Sequence, residues 1–200
     1  LHLLKAKRSL EKIVGSIEAF RAPALRLGYN TIPLLEKLGF KTDSSVASQR
    51  FDGPLTSGSL QKLKWLVAPR ICYNPSYSNP YRRGNSRILE VPPSALIFGY
   101  QGTTMRVAPE LNSLIGNILH SESQRTLKPI VFLFHPNEAI IEKPIKQNIR
   151  RSNSLVGYFF GDLIRRRLKL RNLGPDSLFL LEKVLQKSVK AGFKFISVKS

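Results

Sequence analysis

Apolar positions spaced three and four residues apart open the chain: Leu3, Ala6, Leu10, Ile13 and Val14 predict a helix with one buried stripe, stopped by a left-handed Gly15. Residues 16–20 then read as a short strand. Ile32, Leu35 and Leu38 predict a second helix, capped by Asn30 or Thr31 and closed by Gly39. Residues 40–42 return to an extended pattern that ends on Asp43-Ser44-Ser45. Residues 88–98 are strand material interrupted at Pro92-Pro93. Pro109 begins a helix whose inward face is Leu111, Leu114, Ile115, Ile118 and Leu119. Residues 130–134 form an unbroken apolar run, mostly β-branched or aromatic, between Pro129 and Pro136. That is the pattern of a strand buried on both faces of a parallel sheet. Pro175 and Asp176 start a last helix through Leu178, Leu181, Leu185 and Val189; Gly192 stops it, and residues 193–198 read as a closing strand.

Strands alternating with helices predict an α/β domain, layered or barrel-like, with parallel strands and no boundary between residues 1 and 200. One long loop, residues 46–87, interrupts it. Pro54, Pro69, Pro75 and Pro80 punctuate that loop, leaving a helical turn or two at residues 60–67. Tyr73, Tyr77, Tyr81, Arg82 and Arg83 are candidates to line a groove for a sugar or a base, with an ordinary surface loop as the competing reading.

Charge changes the picture more than composition does. The formal net charge is +19, from 32 Lys and Arg against 13 Asp and Glu, and favours attraction to nucleic acid, anionic lipid or an acidic glycan. Much of it falls in residues 142–171, where Arg165-Arg166-Arg167 is interleaved with Tyr158, Phe159 and Leu163. This segment is either a surface for an anionic polymer or a solvated helix face. Cys72, the single cysteine, excludes an internal disulfide and a cysteine-rich metal cage. No apolar run is long enough to span a bilayer, and the charged opening helix does not read as a secretory signal. The chain begins at Leu1, so a processed or truncated chain is expected.

Three residues stand where α/β sheets keep their chemistry, at the carboxyl ends of predicted strands: Arg21, Asp43 and His135. A guanidinium, a carboxylate and an imidazole on one rim can orient, stabilise charge and transfer protons.

The residues around them carry a family resemblance. Phe20-Arg21-Ala22-Pro23 resembles the Arg-x-Pro motif of the polysaccharide deacetylases, the NodB-homology carbohydrate esterases. The stretch from Leu38-Gly39-Phe40 to Asp43-Ser44-Ser45 is similar to that family's Leu-Gly-aromatic-x-x-Asp-Ser-Ser. Glu90-Val91-Pro92 resembles its Glu-aliphatic-Pro segment, and Leu133-Phe134-His135-Pro136 with Glu138 its late Leu-x-His motif. The resemblance implies a distorted β/α barrel, here without its first strands, that removes N-acetyl groups from an amino-sugar polysaccharide or glycoconjugate. It implies His135 as the acid protonating the leaving amine, Arg21 as the residue orienting the base, and Asp43 as the carboxylate tuning the imidazole. The Ala24 backbone N–H is then an oxyanion donor, and Glu90 and Tyr73 are candidate substrate contacts.

In that family a divalent metal, often zinc, is held by an aspartate and two histidines, with a second aspartate as base. Those ligands come from an Asp-Asp pair and a His-x-x-x-His motif upstream of Arg-x-Pro. Only about twenty residues precede Arg21 here, and they hold one histidine, His2, in the opening helix. His120 has no ligand partner at metal-site spacing. The indole expected beside the aspartate motif is also missing there, since Trp65 lies in the long loop. The chain therefore resembles the carboxyl-terminal two-thirds of such a domain, expected on its own to bind no catalytic metal and to be inactive.

Overall fold

Three two-residue strands, β1 (Ala19–Phe20), β2 (Thr42–Asp43) and β3 (Leu89–Glu90), form a parallel sheet in the order β1-β2-β3. The computed structural model describes residues 2–51, 60–141, 167–168 and 170–198. Around the sheet lie α1 (His2–Val14), α2 (Thr31–Lys37), α3 (Gly102–Val107), α4 (Pro109–Thr126) and α5 (Pro175–Lys190). An antiparallel pair, β4 (Ala95–Leu96) and β5 (Phe98–Gly99), follows the Pro92-Pro93 break. The fold is thus mixed α/β with parallel pairing, as the alternation predicts. The sheet is open among the described residues, and no closed barrel is formed by them.

Among the described residues the core is divided into three clusters. Ile32 and Leu35 of α2 meet Phe40 and Ile88 on one side of the sheet. Ala22, Leu27, Val46, Trp65 and Tyr81 build the second, with Phe20 and Leu133 packed against it. Tyr100, Ile115 and Leu119 form the third, which Ile130, Phe132 and Val184 join. Residues 46–87 are therefore less loop-like than their punctuation suggests. A 3-10 segment at Leu60–Val67 drives Trp65 into the second cluster beside Val46 and Ala47, and the Gln49 N–H donates to the Trp65 carbonyl at 2.7 Å.

Residues 130–134 do not form the expected sheet strand. They are extended, but among the described residues they are paired on one side only: the Ser94 N–H donates to Val131 O at 3.0 Å, Leu133 N–H to Tyr100 O at 3.2 Å and Gly102 N–H to Leu133 O at 2.7 Å. All five are half-buried. Their alternation is real, however, because Ile130 and Phe132 face the third cluster and Leu133 the second. Residues 193–198 are likewise not a strand; Phe195 and Ile196 are exposed, and Phe193 stacks on His120.

Helices α1, α2, α4 and α5 fall where periodicity puts them, but α1, α4 and α5 on rotated faces, and α3 is a further short helix that the apolar pattern does not predict. In α4 the buried positions are Asn112, Ile115, Gly116, Leu119, His120 and Ser123, whereas Leu114 and Ile118 are exposed. In α5, Ser177 is buried, and Leu178, Leu185 and Val189 are exposed. No residue of α1 is fully buried; Leu3 reaches the first cluster while Leu10, Ile13 and Val14 face outward. The basic segment predicted over residues 142–171 lies outside the described residues apart from 167–168 and 170–171.

Candidate active site

Parallel pairing sets the strand ends level. Phe20, Asp43 and Glu90 are register partners across the three strands, so all three chains leave the sheet at one edge. The ladder continues beyond them: Ser44 N–H donates to Phe20 O at 3.0 Å and Val91 N–H to Asp43 O at 2.8 Å. Arg21 leaves β1, Ser44-Ser45 leaves β2, and Val91-Pro92 leaves β3.

Side chains then stitch these exits together. Arg21 Nε donates to the Ser44 carbonyl and its Nη2 to Ser44 Oγ, both at 2.9 Å. Ser44 Oγ in turn donates to Val91 O at 2.8 Å. The Ala22 N–H donates to Ser45 Oγ at 2.8 Å, and that hydroxyl donates to Asp43 Oδ1. Asp43 Oδ1 also accepts the Ser44 N–H at 2.8 Å. Glu90 Oε1 accepts the N–H groups of Ser45 and Val46 at 3.1 and 2.8 Å. Both carboxyl residues are fully buried while Arg21 stays exposed at the rim. Burial raises the Asp43 carboxyl above its ordinary value, opposed by the hydrogen bond from Ser45. Glu90 is driven well above the usual carboxylate range by burial first and by the Asp43 charge second. Arg21 is pulled down by burial and pushed back by the charges of Glu90 and Asp43.

His135 ends the extended segment and is exposed. Among the described residues no hydrogen bond or ion pair joins it to Arg21 or Asp43, whose carboxyl is engaged by Ser44, Ser45 and Glu90 instead. Its segment reaches the Arg21 side of the sheet two residues earlier, through Leu133 against the cluster containing Ala22. The 3-10 turn at Pro136–Ala139 fixes its backbone, with the His135 N–H on Glu138 Oε2 at 3.3 Å. Ala24 is exposed in a left-handed conformation (φ 53°).

Two residues expected to touch substrate are buried. Tyr73 is 2% exposed and its hydroxyl donates to Pro80 O at 2.7 Å, so it braces the loop from inside. Glu90 is 0% exposed and faces Asp43, not the rim. Sequence reasoning missed Ser44 and Ser45 as the connecting hydroxyls, although the Asp-Ser-Ser spelling placed three short hydrogen-bonding side chains at one strand exit.

Among the described residues no group of three or more His, Cys, Asp or Glu side chains is arranged to hold a metal ion. Asp43 and Glu90 are turned toward each other and toward backbone N–H groups, which does not fit the ligand set of a zinc ion. His120 is buried against Phe193, with Nε2 3.2 Å from Ser188 Oγ. No family model matches the chain, and no curated protein or solved structure shows significant similarity to it.

Proposed function

We propose that this chain carries the arginine and imidazole side of a hydrolase that removes N-acetyl groups from amino-sugar polysaccharide, within a β/α domain of the polysaccharide-deacetylase type. The observation that supports this reading most is the level row Phe20, Asp43 and Glu90, which lets the Arg-Ala-Pro and Asp-Ser-Ser exits bond directly at one rim. Arg21, held by Ser44 and open to solvent, is suited to orient a carboxylate base. His135, exposed at the end of its segment, is the group that protonates the leaving amine. The Ala24 N–H is the donor for an oxyanion. Asp43, in this reading, fixes the rim and does not touch the imidazole. Among the described residues no ligand set fits the divalent metal that the resemblance implies.

Two measurements test this. The source reading frame upstream of Leu1 is expected to encode Asp-Asp and His-x-x-x-His; an intact frame lacking both defeats the reading. The protein expressed from the full frame is expected to release acetate from N-acetylglucosamine oligomers, and no release with zinc supplied also defeats it. The charge of +19 favours a second, non-enzymatic reading, a module for an anionic polymer such as nucleic acid or acidic glycan.

A further inference from the structure

Beneath Arg21 two buried carboxyls face each other. Asp43 and Glu90 are register partners on β2 and β3, both 0% exposed. Each has one oxygen engaged by donors, Asp43 Oδ1 by Ser44 and Ser45 and Glu90 Oε1 by Ser45 and Val46. The remaining oxygens, Asp43 Oδ2 and Glu90 Oε2, receive no donor among the described residues. Ionised carboxylates only accept hydrogen bonds, so two of them here leave two buried oxygens bare and two like charges in contact. A single proton removes both defects, because a neutral carboxyl donates its O–H to its ionised neighbour in a strong charge-assisted bond.

We propose that Asp43 and Glu90 share one proton, carried by Glu90, and that this acid–carboxylate pair holds the Ser44-Ser45 turn in the shape that anchors Arg21. Glu90 is a positioning residue: it acts through Asp43 and through the Ser45 and Val46 N–H groups, and touches no substrate. Both carboxyls bond to Ser45 from register positions on neighbouring strands, which sets them side by side. Burial acts most strongly on Glu90, whereas Asp43 is pulled back by its bonds to Ser45 and Glu90. The charged and titratable groups around the pair fit one negative charge. Arg21 faces it from the end of β1, and Cys72 and Tyr73 face it from the segment bridging β3. The Cys72 thiol and the Tyr73 hydroxyl are both raised by burial, so neither ionises where a carboxyl does. The inference rests on this geometry and not on any assigned substrate, so it stands or falls apart from the deacetylase reading.

Glu90→Gln is the deciding variant, since its amide offers an acceptor oxygen and an N–H to Asp43 without titrating. Folding equilibria of the full chain, wild type and Glu90→Gln, are to be measured by urea titration from about pH 5 to about pH 8. A carboxyl raised in the folded state takes up a proton on folding. Its contribution is complete below the ordinary value of 4.5 and is lost as pH rises toward the folded value. The wild-type equilibrium constant is therefore expected to fall relative to Glu90→Gln by up to about tenfold per pH unit across that window. Infrared spectra are expected to show a protonated-carboxyl C=O band in the wild type that Glu90→Gln lacks. Parallel pH profiles, absence of that band from the wild type, or failure of Glu90→Gln to fold would each overturn the proposal.

Discussion

Arg106 and Glu138 form an ion pair at 3.0 Å with both side chains enclosed, 3% and 6% exposed. Glu138 also accepts from Thr103 Oγ1 at 3.2 Å and from the His135 N–H, while Arg106 donates to Arg171 O at 2.7 Å. The Gly174 N–H reaches the Glu138 carbonyl at 3.0 Å. One pair thus ties α3, the His135 turn and the entry to α5 together, and places the exposed imidazole on a fixed support.

Removing one partner of such a pair strands a buried charge. Arg106→Met is expected to lower unfolding stability by about 3–5 kcal/mol, read from the urea midpoint. The double variant Arg106→Met with Glu138→Leu is expected to lose less than the sum of the two single changes.

Gly102 begins α3 directly beneath the Glu138 carboxylate, and a Cβ there collides with Glu138 Oε2 and crowds the Phe134 ring. Gly102→Ala should cost about 1–3 kcal/mol by overpacking. A thermal midpoint equal to the wild type would show that the His135 turn yields without loss.

Glu122 sits between Arg70 and Lys128: Arg70 Nε donates to Oε1 at 2.9 Å and Lys128 Nζ to Oε2 at 3.0 Å. The bond from Arg70 holds its carboxyl down at about 2. A lowered group contributes stability above its unfolded value of 4.5, lost as pH falls toward about 2. Wild-type stability should therefore decline through that acid range more steeply than that of Glu122→Gln, as followed by circular dichroism.

His135 is exposed and carries no core packing. In the full-frame protein, His135→Ala is expected to reduce acetate release about 10²–10⁴-fold while leaving the urea midpoint unchanged. A matched fall in both would make the imidazole a structural group.

For polyanion binding, affinity for double-stranded DNA should fall linearly in log–log form as salt is raised. Replacing Arg165, Arg166 and Arg167 by alanine should reduce that slope by about 2–3, at roughly 0.9 per phosphate contact. Weak binding of the wild type at low salt removes this reading.

Helix positions were legible because apolar spacing and stopping glycines are local signals; Gly15 and Gly39 take φ of +80° and +77° as the stops require. Helix faces were not. In α4 the small and polar Asn112, Gly116, His120 and Ser123 are buried, since the Tyr100 ring lies on Gly116 and Ser123 donates to Lys128 O. An apolar stripe cannot announce such positions. Residues 130–134 carried the composition of a central strand, yet a central position needs a ladder on each side, and that is a property of the whole sheet.

At the rim, Arg21 and Asp43 could be read from strand ends, because parallel strands exit at one edge. Glu90 could not. An acidic residue in a strand reads as solvent-facing, and only the match of Asp43 to Glu90 across β2 and β3 reveals the carboxyl contact.

The Ser45 hydroxyl has a wider consequence. It takes the Ala22 N–H and gives its own proton to Asp43, so one oxygen atom fastens two turns that lie over twenty residues apart in the chain. A side chain without a hydroxyl at this position strips the Ala22 N–H of its acceptor and Asp43 Oδ1 of one donor together, and leaves Arg21 and Ser44 as the remaining side-chain tie between the two turns among the described residues.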